Sequence, residues 1–162
     1  MSAAVHDDLA ALAAASGPLM GLDLGTKTIG VAVSDGLRMT ATGLETIRRR
    51  KFGLDAQRLR EIAGGRGIVG IVLGLPRNMD GSEGPRCQST RAFARNLAAE
   101  LGLPIALWDE RLTTVAAERA LLEADSSRKR RAEVIDKVAA AYILQGALDR
   151  LAALERGDSH DR

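Results

Sequence analysis

The sequence has little of the chemistry on which many enzymes and secreted domains depend. Its 162 residues include one cysteine, Cys87, which excludes an internal disulfide and a cysteine-based zinc site. The two histidines, His6 and His160, lie near the chain ends, and this argues against a histidine-based mechanism. Aromatic residues make up only 2%, too few for the stacking platforms of single-strand-binding proteins. The candidate functional groups that remain are carboxylates and basic side chains.

The chain also lacks an apolar run long enough to span a bilayer. Its first 18 residues are rich in alanine, but Asp7, Asp8 and the absence of a basic start argue against a signal peptide. Hydrophobic residues at 46% and charged residues at 27% are typical of a soluble domain. We therefore expect a cytoplasmic protein with one domain over residues 19–154, between a flexible extension over 1–18 and a flexible tail over 155–162.

Positive charge is concentrated in two runs, although the net charge is only +2. The runs are Arg48–Lys51 and Arg128–Arg131, and each could hold phosphates electrostatically. A single run of this kind is more often a solvated surface. Two of them in a chain of low net charge favour a polyanion as the partner.

The hydrophobic pattern predicts three strands followed by alternating helices and strands. The predicted strands are residues 19–24, 28–34, 39–47, 68–73 and 104–108, and the predicted helices begin near residues 52, 87, 113 and 131. The third helix has Thr113 or Thr114 as its expected N-cap, and Trp108 is expected in the core. The fold class is thus α/β, with a mixed five-stranded sheet of three antiparallel and then two parallel strands, flanked by helices.

An acidic residue stands within the first of these strands, in the stretch GLDLGTKTIGVAVSD over residues 21–35. On a strand, Asp23 shares its face with Gly21 and Gly25, which leaves open space beside the carboxylate for a ligand or metal. The alternative is that Asp23 starts a turn by accepting hydrogen bonds from the backbone of Gly25 or Thr26.

Two further carboxylates are candidates for the same site. Alternation sends Asp109 and Glu110, at the end of the last strand, to opposite faces, so only one of them can join Asp23. Asp136 lies in the final helix, where the small residues after it would let that helix approach the sheet. Alternatively, Glu110 pairs with Arg111 or a nearby lysine at the surface, and Asp136 stabilises the N-terminal part of its helix through the helix dipole.

Three carboxylates brought together are what a hard cation such as Mg²⁺ takes, usually with substrate phosphate. Two such ions, about 3.5–4 Å apart, can clamp an in-line attack at phosphorus. The stretch LGLPRNMDG, residues 73–81, leaves the fourth strand at its carboxyl end, where α/β sheets place their sites. Asp80 and Gly81 predict a turn there, while Arg77 and Asn78 could reach a phosphate or a base edge.

Four motifs together resemble the YqgF (RuvX) family of bacterial pre-16S rRNA nucleases, which belongs to the RNase H-like superfamily with the Holliday junction resolvase RuvC. They are GLDLGTKTIGVAVSD, VLGLPRNMDG, DERLTT and DKVAAAYIL, in the family's order. The resemblance implies that Asp23, Glu110 and Asp136 are metal-binding catalytic acids, and it selects Glu110 over Asp109. This sequence departs from the family pattern in the stretch RRAEVID, because many members have a Lys-Gly pair just before the acid that corresponds to Asp136.

The resemblance further implies Mg²⁺-dependent hydrolysis of a phosphodiester, with Mn²⁺ as a substitute, in the 5′ end of precursor 16S rRNA. Candidate substrate contacts are Lys27, Arg77, Asn78 and Arg111. Branched DNA is the alternative substrate, and a resolvase would need a dimer to cut two strands symmetrically.

Two readings of other classes compete with a nuclease. The letters DLGTK also resemble the phosphate hairpin of ATP-binding actin-like folds, but 162 residues have room for one lobe and contain no second such hairpin. A non-catalytic RNA-binding module would use the basic runs equally well, yet it leaves the acids unexplained.

Overall fold

The computed structural model describes residues 4–112 and 128–157, with only the helical backbone of 128–134. The strands are β1 Val5–His6, β2 Leu19–Leu24, β3 Thr28–Ser34, β4 Ala41–Arg48, β5 Gly70–Leu75 and β6 Ile105–Asp109. The helices are α1 Phe52–Arg66, α2 Pro85–Leu101 and α3 Arg128–Glu155, with 3-10 helices at Leu9–Ala14 and Glu110–Leu112. The predicted helix at 113–124 and its caps Thr113 and Thr114 lie outside the described residues.

The strands form one mixed sheet in the order β1-β6-β5-β2-β3-β4. The neighbours β2, β3 and β4 are antiparallel, whereas β2–β5, β5–β6 and β1–β6 are parallel. The predicted α/β class with three antiparallel strands followed by parallel ones is confirmed. The predicted count of five strands was wrong, because β1 adds a sixth at the edge.

The sixth strand comes from the stretch expected to be an extension. A strand of two residues is too short to produce a periodic signal in the sequence. Its pairing of Val5 with Ile105 depends on β6, a hundred residues away in the chain. The 3-10 helix that follows buries Leu9 and Leu12 against the side of the sheet that α3 covers.

The two faces of the sheet differ in side-chain size. The face that packs on α1 and α2 carries large aliphatic residues from every central strand, including Met20, Leu22, Ile29, Val31, Ile71 and Leu73. Alternation sends the residues between them to the other face, which α3 covers. That face contains glycines 21, 30 and 74, all in contact range of α3.

The absence of side chains on these glycines lets α3 lie directly on the sheet. A Cβ atom on Gly21 would stand 2.7 Å from Cβ of Leu144, and one on Gly74 would stand 2.7 Å from Cδ1 of Ile143. The helix itself contributes buried alanines on this side, such as Ala140. Close packing of this kind fixes the position of α3 to within a fraction of an ångström.

Within residues 4–112 and 128–157, no helix is both long enough and apolar enough to cross a membrane.

Candidate active site on the glycine-lined face of the sheet

Asp23 lies near the carboxyl end of β2 and is buried, with 5% of its surface exposed. Its partner on β3 is Gly30. On the other side, the last paired residues of β2 and β5 are Leu22 and Leu73, so Gly74 is the next neighbour of Asp23. Because both neighbours lack side chains, groups from α3 and from the end of β6 can come close to the Asp23 carboxylate on either side.

Glu110 brings a second carboxylate to the same face. It follows the last residue of β6, and alternation continues into it, since Trp108 packs toward α3 and Asp109 does not. Glu110 Oε2 lies 2.8 Å from the point that a Cβ on Gly74 would occupy. The carboxylate of Glu110 therefore lies over Gly74, one strand away from Asp23, and adjacent strands are about 4.8 Å apart.

Asp136, on α3, lies over the same face of the sheet but on the β3 side of Asp23, whereas Glu110 lies on the β5 side. The space that a Cβ on Gly30 would need is filled by the Asp136 carbonyl group. The hydroxyl of Thr28 donates a hydrogen bond of 2.6 Å to Oδ2 of Asp136. This bond fixes the orientation of the carboxylate above β3, and β3 is the strand on the other side of β2 from Gly74.

The three sequence-predicted acids thus converge on one region, with Asp23 in the middle and Glu110 and Asp136 on either side. In the part of the chain that is described, no group of three or more Asp, Glu, His or Cys side chains is arranged so that it could hold a metal ion by itself. The donors are all carboxylate oxygens around glycine backbone, and this fits Mg²⁺ in kind. Such ions commonly take one or two protein carboxylates and complete their shell with phosphate and water.

Asp109 is committed to a different contact. Arg111 donates to both of its carboxylate oxygens, at 2.6 Å from Nη2 and 3.0 Å from Nε. The guanidinium hydrogen bond holds the pKa of Asp109 below its ordinary value. The guanidinium of Arg111, one of the partners expected for Glu110, is thus engaged by Asp109.

Three of the four predicted substrate contacts organise loops beside the site. The Asn78 amide donates to Ser82 Oγ at 3.0 Å, and Arg111 donates to the carbonyl of Met79 at 3.2 Å. Arg77 lies 3.5 Å from a carboxylate oxygen of Glu83. Lys27 differs from them, because it is exposed in the turn between β2 and β3.

Two residues of the site were not found from the sequence. Gly30, inside the apolar strand β3, carried a usable signal, since an isolated glycine in a strand often marks a close backbone approach. Thr28 carried none, because its partner Asp136 is 108 residues away. Trp108, expected in the core, is buried at 8% exposure.

The fold is that of the RuvC-type nucleases. RuvC of Thermus thermophilus, solved with a Holliday junction substrate, superposes with a TM-score of 0.52 at 14% identity, covering 84% of this chain and 96% of that one. A second structure of Thermus thermophilus RuvC gives 0.51 at 17% identity, covering 83% and 96%. At these identities the likeness concerns the fold alone.

Sequence comparison gives the family. The family model described as RuvX, Holliday junction resolvase, matches residues 17–150. A protein of Cereibacter sphaeroides (strain ATCC 17025) is 72% identical over 155 residues, or 94% of this chain and 97% of that one. One of Ruegeria sp. (strain TM1040) is 71% identical over 150 residues, or 91% and 96%. Both are named "Putative pre-16S rRNA nuclease". The chain belongs to the RuvX family, a nuclease family whose chemistry is hydrolysis of phosphodiester bonds.

Proposed function

We propose that this chain is a divalent-metal-dependent nuclease that processes the 5′ end of precursor 16S rRNA in the bacterial cytoplasm. Its catalytic acids are Asp23, Glu110 and Asp136. The observation that carries the proposal is the position of Asp23, buried between Gly30 and Gly74 with an acid above each neighbouring strand. The name carried by its relatives supports precursor rRNA as the substrate.

The three carboxylates would hold Mg²⁺, or Mn²⁺ in its place. Such an ion neutralises charge on the reacting phosphate and lowers the pKa of a water molecule. The protein's own part is positional. The Thr28 hydroxyl holds the Asp136 carboxylate in one orientation, and burial of Asp23 lowers the local dielectric and so strengthens its interaction with any cation.

Substrate binding in this proposal uses the polar residues around the carboxylates. Lys27 is exposed in the β2–β3 turn and carries its charge close to where β2 ends. Arg77, Asn78 and Arg111 would shape the loop after β5 against which the RNA lies. Contacts of this type to phosphate position a strand without reading its sequence.

The test is cleavage of an RNA bearing the 16S 5′ leader, with Mg²⁺, by the wild type and by Asp23→Asn and Asp136→Asn. Asp149→Asn is the matched control, because Asp149 is an exposed acid on the same helix as Asp136. We expect cleavage by the wild type and the control, and loss of at least about 10³-fold in the two site variants, which should still bind RNA. Wild-type rates in Asp23→Asn would refute the assignment.

A second candidate function is resolution of branched DNA. The description of the family as a resolvase and the likeness of the fold to RuvC favour it. A four-way DNA junction run beside the RNA separates the two functions. Paired symmetric cuts in the junction, with the RNA left intact, would assign the same carboxylates to a resolvase. Cleavage of neither, with RNA binding retained, would leave a non-catalytic assembly factor.

A further inference from the structure

The arginines around the candidate site differ in whether a carboxylate neutralises their charge. On the side of β5 and β6, three arginines each have a carboxylate partner. Arg91 lies 2.7 Å and Arg77 lies 3.5 Å from an oxygen of Glu83, while Arg111 lies 2.6 Å from Asp109. A nucleic-acid strand gains little from arginines that are already neutralised, because it would have to displace the bound carboxylates.

On the opposite side, two arginines have carbonyl groups as the hydrogen-bond partners of their guanidinium groups within the described part of the chain. Arg49 Nη1 donates to the Gly25 carbonyl at 2.7 Å, and Arg86 Nη2 lies 3.5 Å from the Leu24 carbonyl. Among the described residues, neither arginine forms an ion pair with an acid. Each guanidinium has five N–H donors, so most of this donor capacity remains for a ligand.

These two arginines line a cleft of about 320 Å³ between the β2–β3 turn and the start of α2. Its polar lining comes from Thr26, Arg49, Arg86, Ser89 and Thr90, and none of its lining residues is acidic. We call it the hairpin cleft. The cleft has two cations, three hydroxyls and no acid, and one of the hydroxyls, that of Thr90, already donates to the Arg86 carbonyl. This is a suitable environment for a phosphate group, since charged and neutral donors can surround its oxygens.

Two further features favour the binding of an anion in the hairpin cleft. The first turn of α2 has no acidic residue and no side-chain cap on its N-terminal amides. The acid that precedes its N-cap, Glu83, is itself ion-paired with Arg77 and Arg91, so the positive end of the helix still contributes to the potential of this region. Arg49 is also held in place, because its guanidinium lies 5.9 Å from the centre of the Phe93 ring. A guanidinium that is already ordered loses less entropy when it binds an anion.

The hairpin cleft opens at the end of β2, next in the chain to the proposed catalytic acid Asp23, and Leu24 and α2 place it toward the other face of the sheet. Leu24 and Gly25, which form part of its wall, follow Asp23 in the chain. At about 3.3 Å per residue of strand, Gly25 lies roughly 7 Å from Asp23. We propose that the hairpin cleft binds a backbone phosphate of the nucleic-acid strand, beside the phosphate cut at the carboxylates, with Arg86 as its main contact. This inference rests on the proposed nuclease function.

The test is the salt dependence of binding to a short single-stranded RNA, measured without divalent metal so that no cleavage occurs. In Arg86→Gln, we expect several-fold weaker binding and a log–log slope against salt that is smaller by about 0.7, the value for one phosphate contact. Arg86→Lys should keep the slope. Arg60→Gln is the control, because Arg60 on α1 is also exposed but is ion-paired with Glu100 at the far end of α2. An unchanged slope in Arg86→Gln would overturn the inference.

A second measurement locates the contact. Single methylphosphonate linkages placed along the RNA remove one phosphate charge at a time. One position should weaken wild-type binding and have no further effect in Arg86→Gln, as expected when both changes remove the same contact. Independent losses at every position would contradict the proposal.

The outcomes separate this inference from the nuclease function on which it builds. A wild-type slope in Arg86→Gln, together with Asp23-dependent cleavage, rejects the hairpin cleft and keeps the nuclease. A reduced slope in Arg86→Gln without any wild-type cleavage supports the cleft as a phosphate site and rejects the nuclease.

Discussion

The substitution Gly30→Ala tests the geometry of the site more directly than removal of an acid. Gly30 is the β3 partner of Asp23, and α3 lies against it through the backbone of Asp136. A Cβ on Gly30 would stand 2.5 Å from the carbonyl carbon of Asp136 and closer still to its oxygen. Ordinary contact begins near 3.4 Å, and the oxygen is the nearer atom, so α3 must retreat by more than 1 Å.

A retreat of this size has two measurable effects. Inserting a methyl group into a packed interface costs about 1–3 kcal/mol of the free energy of unfolding. A misplacement of about 1 Å in a catalytic group costs about 10²-fold in rate. We therefore expect Gly30→Ala to fold with a lower Tm and to cleave RNA about 10²-fold more slowly, with little change in RNA affinity. The assays are thermal unfolding and single-turnover cleavage.

Gly64→Ala provides the matched control. Gly64 lies in α1, and nothing stands within 4 Å of the Cβ that the substitution would add. It should stabilise the protein by about 0.5–1 kcal/mol and leave the cleavage rate unchanged. An unaltered Tm in Gly30→Ala would show that α3 does not lie on Gly30. A lowered Tm with a wild-type rate per folded molecule would refute the role of Asp136.

Three other substitutions test single interactions. Thr28→Val removes the hydrogen bond to Asp136, so we expect single-turnover cleavage to slow about tenfold and Thr28→Ser to restore it; equal rates would mean the bond does not orient the acid. Arg38→Ala removes three hydrogen bonds to carbonyls of the N-terminal segment, and should lower the free energy of unfolding in urea by about 2 kcal/mol. The segment should also become open to proteases, and unchanged protection would contradict the anchoring role of Arg38. Arg111 holds the pKa of Asp109 below its ordinary value of 3.8, so this ion pair adds stability at pH 5 that is lost as the pH falls below about 4. In acid unfolding, Asp109→Asn should therefore lose less stability than the wild type over this range. Parallel unfolding curves for the two proteins would exclude the pair as the source of the loss.

The local hydrophobic pattern of the sequence was enough to predict the fold class and most of its strands and helices. Alternation and helical spacing are properties of neighbouring residues, so strands β2 to β6 and helices α1, α2 and α3 were predicted with shifts of a few residues at their ends. The candidate acids Asp23, Glu110 and Asp136 were also visible, because carboxylates within or beside apolar segments need a reason to be there. The choice of Glu110 over Asp109 required the family motif.

What the sequence could not supply are contacts between residues far apart in the chain. The hydrogen bond from Thr28 to Asp136 and the fit of the α3 backbone over Gly30 span more than a hundred residues. Strand β1 exists only because β6 offers it an edge. The pairing of Arg111 with Asp109 rather than Glu110 follows from the faces on which the two acids lie once β6 is in the sheet. The sequence by itself determined which carboxylates and hydroxyls were available to the site. Packing of α3 against the glycine backbone of the sheet decided which of these groups lie near one another, because only close contact between distant segments fixes the distances between them.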